Sequence, residues 1–318
     1  MYRRLLVLAG GGAALTAGIN RWRNPIPDNE QKFVNDLREF NTEKIEYENA
    51  LNPEVFQTFK LKEVKPISHD TSIFTFALED VDQVNEDGLK ILKKLNMPVA
   101  SCVFVKANVG DEVVVRPYTP INRNGDVGFM NLLIKAYPNG KLSKKIHEMK
   151  IGDSLEFKGP LLKYDYKPNM KKEMIFLSAG TGITPSYQLI QEILSNSNDS
   201  TKITLLYANK TPEDILLKKE LDTLAKQHPN QFKVFYTVDA DPNKTADASI
   251  QGRGFVNHEM LKQFGLPKPS SDVLVSVCGP PPFYDLLCGQ KKSPKEQGEV
   301  TGLLKDKFGY NETNVFKF

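Results

Sequence analysis

The chain has 318 residues, a formal net charge of +3, 40% hydrophobic and 25% charged residues. That length holds two domains of ordinary size with a core each, and the near balance of charge argues against bulk nucleic-acid binding, although abundant lysine leaves room for local basic patches. Cys102, Cys278 and Cys288 form an odd set without a CxxC pair, which argues against a disulfide framework and a structural zinc centre.

The N-terminus departs from this globular pattern. Leu5 to Ile19 carries no charge and lies between Arg3-Arg4 and Arg21. It is shorter than the ~20 residues of a usual span, but Tyr2 and Trp22 extend it as interfacial residues. Residues 1–23 are therefore read as a membrane anchor. A cleaved targeting peptide stays open, given the small residues from Ala13 to Gly18. A buried helix is the remaining reading, opposed by the consecutive Gly10, Gly11 and Gly12. Residues 24–52 are polar, contain Pro25 and Pro27, and read as a linker.

From Phe56 the pattern alternates. FQTFKLKEVKPIS, TSIFTFALE, ASCVFVKAN, DEVVVRPYT, GFMNLLIKAY and SLEFKGP read as short strands separated by Gly- and Asn-containing turns. Such a series predicts an antiparallel barrel or sandwich. Leu142 to Met149 reads as a helix, and Val81 to Asn96 as a loop with a helical turn. After Pro168 strands and helices alternate. EMIFLSAG, KITLLYAN, FKVFYTVD and DVLVSVCG read as strands. SYQLIQEILS, PEDILLKKELDTLAKQ, HEMLKQFG and a segment near Gln297 to Phe308 read as helices. This alternation predicts a parallel sheet covered by helices. The expected organisation is anchor (1–23), linker (24–52), antiparallel β domain (53–168) and α/β domain (169–318). No internal repeat is visible.

Four motifs carry chemistry. In Arg116-Pro117-Tyr118-Thr119-Pro120, at a strand end, an arginine fork suits a diphosphate. Tyr118, two positions on, faces the same side and suits stacking on a flat ring, with Thr119 at that ring's edge. In the second, Lys135 alternates out of the apolar Leu132-Leu133-Ile134 and precedes Tyr137. Gly140-Lys141-Leu142-Ser143 then opens a helix whose free N–H groups favour a phosphate. The third, Ala179-Gly180-Thr181-Gly182-Ile183-Thr184-Pro185, joins a strand to a helix; its glycines let a ligand approach the backbone. It is not the GxGxxG fingerprint. The fourth, Cys278-Gly279-Pro280-Pro281-Pro282, follows a buried strand, where α/β sheets bind ligands, and makes a stiff wall for a nicotinamide. Asp239 ends another strand and suits the hydroxyls of an adenosine ribose. Each motif alone also fits a plain structural role: edge strand, hairpin loop, tight turn, buried cysteine before a stiff loop, solvated aspartate. His69, His147, His228 and His258 are scattered without metal-ligand spacing, so no metal is expected.

RPYTP, GKLS, GTGITP and CGPPP, in that order, resemble the ferredoxin-NADP reductase superfamily and, within it, the NADH-cytochrome b5 reductases, most of all their mitochondrial form. The segment NKTPEDILLKKELD and the ending from Gln297 to Phe318 add to the likeness, which covers about residues 50–318. The resemblance implies a barrel-like domain holding FAD, an α/β domain binding NADH, and hydride transfer followed by single-electron release. It assigns Arg116, Pro117, Tyr118, Thr119, Ile134, Lys135, Tyr137, Gly140, Lys141, Leu142 and Ser143 to the flavin side. Gly180, Thr181, Cys278, Gly279, Pro280 and Pro281 go to the nicotinamide side, Thr184 to a contact with the flavin from the second domain, and Asp239 to the preference for NADH. Thr119, Lys135 and Cys278 are the expected catalytic residues, Cys278 as a pocket wall and not a nucleophile. Two departures stand out: Ala179 replaces a glycine common in relatives, and Ala100-Ser101-Cys102 replaces a Gly-Gln-His stretch. The implied acceptor is cytochrome b5 or a similar acidic haem protein, met by Lys141, Lys144 and Lys145; a small-molecule or quinone acceptor is the alternative. The implied location is the mitochondrial outer membrane through the anchor, with a cleaved form in the intermembrane space as a variant.

Overall fold

The structure is a computed structural model that describes residues 45–78, 90–123, 125–242 and 247–318. The first part of it runs through β1 (Ile45–Asn49), β2 (Gln57–Pro66), β3 (Thr71–Ala77), β4 (Lys90–Lys94), β5 (Ser101–Val109), β6 (Glu112–Tyr118), β7 (Phe129–Lys135), the helix α1 (Lys141–His147) and β8 (Ser154–Leu162). Six of these strands form an antiparallel sheet in the order β6-β5-β8-β2-β3-β7; β1 and β4 lie outside it. The period-two pattern explains the fold, because alternate residues share a face. Phe59, Leu61, Phe74, Phe76, Val103, Val105, Val114, Met130, Leu132, Leu155 and Phe157 all enter one core. Leu142 and Ile146 of α1 close it. Hydrogen bonding leaves β6 and β7 as the two ends of the strand order, so the sheet is open at that seam.

The second part contains β9 (Glu173–Ala179), α2 (Ile183–Ser195), β10 (Lys202–Asn209), α3 (Lys218–Gln227), β11 (Phe232–Val238), β12 (Ile250–Arg253), α4 (His258–Phe264), β13 (Val273–Cys278), α5 (Pro281–Leu287), α6 (Gly302–Asp306) and β14 (Val315–Lys317). The strands make a six-stranded parallel sheet, β12-β11-β10-β9-β13-β14. Its apolar strands are buried on both faces, as a parallel sheet covered by helices requires. Met174, Phe176, Leu205 and Tyr207 pack with Ile190 and Leu221 on one side. Ile175, Leu177, Val275 and Val277 pack with Leu261, Leu287 and Leu304 on the other. The chain runs outward from β9 to β12 and then returns to β13 on the opposite flank of β9. That reversal between β9 and β13 is the point where open α/β sheets bind ligands.

Several expected elements differ. The expected helix over 212–227 breaks at Ile215–Leu217, where Leu217 adopts φ 56. These three residues are buried, and leaving helical geometry is how all three reach the core. The last expected helix starts only at Gly302, and β12, α5 and β14 were not anticipated. Of the expected loop at Val81 to Asn96, residues 81–89 lie outside the described residues, and Lys90–Lys94 is strand.

The membrane assignment is corrected. Among the described residues no helix is long and apolar enough to cross a membrane; the longest labelled helix, α2, has 13 residues, against the ~20 a span needs. Residues 1–23, assigned to the anchor, lie outside the described residues. The expected anchor, the membrane as a partner and the mitochondrial outer-membrane location thus find no support among the described residues, and the two-domain architecture stands without them.

Phe157 is fully buried and meets the rings of Phe59 and Phe76 at 5.4 and 4.8 Å between centroids. Phe157→Ala is expected to cost about 3–5 kcal/mol through lost contacts and the cavity left behind. Urea denaturation followed by far-UV circular dichroism measures it, and a loss below 1 kcal/mol contradicts this account of the core.

Candidate active site

The two sheets present their functional ends to one cleft of ≈ 850 Å³. On the antiparallel side, β6 delivers Arg116, Pro117 and Tyr118, with Thr119 following. The Arg116 guanidinium donates to the Val115 carbonyl at 2.8 Å, and among the described residues no carboxylate pairs with it. It is thus free for an anion. Burial pushes the Tyr118 hydroxyl up to about 12, with Tyr137 adding to the shift and Arg116 opposing it, so the ring stays neutral.

β7 supplies Ile134 and Lys135, and the turn after it supplies Tyr137 and the start of α1. The Ser143 hydroxyl donates to the Gly140 carbonyl at 3.2 Å and accepts from the Tyr137 N–H at 3.4 Å. This folds the loop so tightly that a Cβ on Gly140 would stand 2.3 Å from that hydroxyl. No side chain caps α1, which leaves its first N–H groups open to the cleft. Lys141 is exposed and paired with Glu112 at 2.5 Å.

On the parallel side, β9 and β13 end next to each other, with Cys278 opposite Ser178. The Gly180–Gly182 turn therefore lies against the residues after β13. A Cβ on Gly182 would be 2.3 Å from the Cys278 carbonyl oxygen, so only glycine permits this approach. Gly180 takes the left-handed φ of 53 and accepts a hydrogen bond from the Tyr207 hydroxyl at 2.9 Å. Thr184 donates from Oγ1 to the Thr181 carbonyl at 3.2 Å. The second and third prolines of the CGPPP motif open α5, a position that suits proline at a helix start. Burial raises the Cys278 thiol to about 11, against the opposing influence of a hydrogen bond with Tyr284 and of Lys291. It is protonated at neutral pH and suited to packing, because nucleophilic attack needs the thiolate.

Polar contacts join the two walls. Tyr137 Oη and Thr181 Oγ1 share a hydrogen bond at 2.8 Å. The Ser101 N–H donates to Gln188 Oε1 at 3.1 Å, and Gln191 donates to the Ile121 carbonyl at 3.3 Å. Lys135 lies 2.7 Å from Asp70 and 3.2 Å from Asp214. Burial opposes the ammonium charge, but hydrogen bonds to Asp70 and Asp214 hold its pKa above the usual lysine value.

Of the residues expected from sequence, all line this cleft except Gly180, directly behind it, and Asp239. Asp239 follows β11, two strands from β9 at the same carboxyl edge. At the spacing of neighbouring strands that is about 10 Å away along the edge. Burial raises its carboxyl pKa, and Lys210 opposes the shift. The cleft also includes Cys102, Lys163, Tyr284, Lys291 and the terminal Phe318, which the motif reading missed. Phe318 comes there because its N–H bonds the Val277 carbonyl and its own carbonyl accepts from Tyr284 at 2.7 Å, contacts without a local signal. Asp70 and Asp214 were missed too, although the Thr211-Pro212-Glu213-Asp214 pattern carries a capping-box signal.

The residues present fit a flavin dinucleotide and a nicotinamide dinucleotide. A carboxylate-free arginine and uncapped helix N–H groups suit the phosphates of one, and a glycine turn at the sheet's switch point suits the other. Gly182→Ala is expected to push the 180–184 turn off Cys278, costing about 1–3 kcal/mol of strain and weakening nicotinamide binding while flavin content holds. Titration of the flavin-loaded protein with NAD+ tests this; unchanged affinity contradicts the close approach.

Comparison with known proteins agrees with this division. Residues 58–166 match the oxidoreductase FAD-binding domain family and residues 176–289 the oxidoreductase NAD-binding domain family. NADH-cytochrome b5 reductase 2 of Kluyveromyces lactis is 45% identical over 257 residues, 80% of this chain and 81% of that protein. Its counterpart from Candida glabrata is 39% identical over 99% of this chain and 97% of its own. Among solved structures, the cytochrome b5 reductase domain of Ulva prolifera nitrate reductase superposes with a TM-score of 0.70 at 31% identity, covering 85% of this chain and all of that one.

Proposed function

We propose a full route for the electrons from one premise: the chain belongs to the cytochrome b5 reductase-like flavoproteins of the ferredoxin-NADP reductase superfamily. It is an NADH-dependent flavoreductase with FAD and NADH as cofactors. The proposal concerns which residues do the work and where the electrons go. The observation that carries it is the convergence of the β6 end and the β13 end on one cleft. When bound there, FAD takes a hydride from NADH and releases electrons one at a time.

The chain's contribution is binding and alignment. Arg116 and the first turn of α1 neutralise the FAD diphosphate. Tyr118 would stack on the ring system, and Thr119 would hydrogen-bond at its edge. Thr181 would hold the nicotinamide half against Cys278, Gly279, Pro280 and Pro281, and Thr184 would reach the flavin from the α/β domain. The protonated Cys278 thiol and the prolines keep water from the reacting faces. Lys135, placed on the flavin side by its motif, lines the same cleft and is tied to Asp214 of the α/β domain, so in this reading it donates a hydrogen bond to NADH; Asp239 accepts from the adenosine ribose and repels a 2′-phosphate. The domain limits near residues 53, 168 and 318 belong to this reading. Ala100-Ser101-Cys102 and the run to Phe318 favour the mitochondrial type of sequence within the family.

The acceptor in this reading is cytochrome b5 or a similar acidic haem protein. Lys144 and Lys145 are exposed on α1, beside the cleft, and like charges so placed steer an acidic partner.

Two expectations follow. Asp239→Thr raises the NADPH-to-NADH ratio of kcat/KM by about tenfold, equal to about 1.4 kcal/mol; an unchanged ratio removes Asp239 from the site. Lys144→Glu/Lys145→Glu lowers the rate with cytochrome b5 and flattens its fall with ionic strength, leaving NADH-driven bleaching of the flavin absorbance without oxygen unaltered. A salt-independent rate, matched by quinone, points instead to small-molecule acceptors.

A further inference from the structure

We infer that Asp214 is a positioning residue for NADH oxidation: its carboxylate, supplied by the α/β domain, holds the Lys135 ammonium of the β domain at the wall of the cleft. The inference rests on the proposed contact of Lys135 with NADH and adds what fixes that lysine.

A lysine is a poor fixed donor by itself. Its ammonium sits on a flexible four-carbon stem and rotates freely. Here it is immobilised. Lys135 Nζ lies 2.9 and 2.7 Å from the two oxygens of Asp70, and 3.2 Å from Asp214 Oδ1. Asp70 comes from its own sheet, just before β3, whose Thr71 pairs with Lys135. Asp214 comes from the other domain, in the turn after β10. Lys135 and Asp214 side chains are only 15% and 7% exposed, so water competes little for the pair.

Asp214 is itself held. Its Oδ2 accepts from the Thr211 N–H and the Thr211 hydroxyl, each at 3.2 Å. This aims Oδ1 at Lys135 and keeps the two functions on separate oxygens. The ammonium has three N–H donors. With two directed at carboxylates, one remains for a ligand in the cleft that Lys135 lines. Asp70 alone leaves the ammonium free to swing about its own sheet. Asp214 removes that freedom and makes the donor's position depend on the docking of the two domains. His69 also faces this cluster, with Nε2 3.4 Å from Asp70 and within 4.8 Å of the Asp214 carboxylate; it is largely exposed.

The test is a double-mutant cycle on the flavin-loaded protein, read as the dissociation constant of NAD+ and the rate of flavin reduction by NADH. Asp214→Asn keeps an oxygen for Thr211 and removes the charge facing Lys135. It is expected to weaken NAD+ binding by about tenfold, as loss of a charge-assisted hydrogen bond does. In a Lys135→Met background the same change is expected to alter binding by less than twofold. Asp214→Glu, which keeps the carboxylate, should recover most of the loss. Equal effects of Asp214→Asn in both backgrounds overturn the inference, because the residue then acts without Lys135. If Lys135→Met itself leaves NAD+ binding intact, the reading of Lys135 as an NADH ligand fails, and the inference fails with it. Should Asp214→Asn lose flavin, Asp214→Glu enters the same cycle, and additive losses there count equally against it.

Discussion

The cleft exists because a few polar contacts carry the edge of one sheet to the edge of another. Lys135 reaches Asp214, Tyr137 reaches Thr181, Ser101 reaches Gln188, and Gln191 reaches Ile121. Each ties a residue of the antiparallel part to one of the parallel part. Apolar packing adds to them, since Ala100 and Leu133 join the same cluster as Met174 and Ile190. Hydrophobic contact is non-directional and would tolerate sliding. Directional hydrogen bonds do not, least of all the three between part-buried partners, and it is they that specify which strand ends face each other.

The second constraint is the switch point of the parallel sheet. β9 and β13 are neighbours although far apart in the chain. Their connections leave in opposite directions, so the turn after one and the loop after the other stand side by side. Gly182 then has to pass the Cys278 carbonyl with no room for a side chain. The glycine motif and the cysteine-proline motif are thus one structure built from two segments. A hydride-transfer enzyme gains from this arrangement, because alignment of two flat rings is most of what the protein contributes.

Much of this was legible in the chain. Strand limits fell close to those observed: KITLLYAN, read from the strand–helix alternation, is β10, residue for residue. The helix after GTGITP and the antiparallel-then-parallel rhythm were equally plain. The misses share a cause. Ile215, Leu216 and Leu217 read as helix because their spacing suits one, yet burial of all three drew the chain out of helical geometry. β14, three residues long, is too short for any periodicity to reveal. Ala100 takes the left-handed φ of 60, a conformation the residue type does not announce.

The sequence by itself determined the two kinds of sheet, their order and the four motifs, because side-chain period and the backbone chemistry of glycine and proline act over a few residues. Only the tertiary structure decided which of those residues share a cleft and what holds them there. Lys135 was legible as a cleft-facing lysine. Its partners, 65 and 79 residues away, were not, since contact through space between distant segments leaves no local pattern. The same reason brought Phe318 into the cleft and left Asp239 outside its lining.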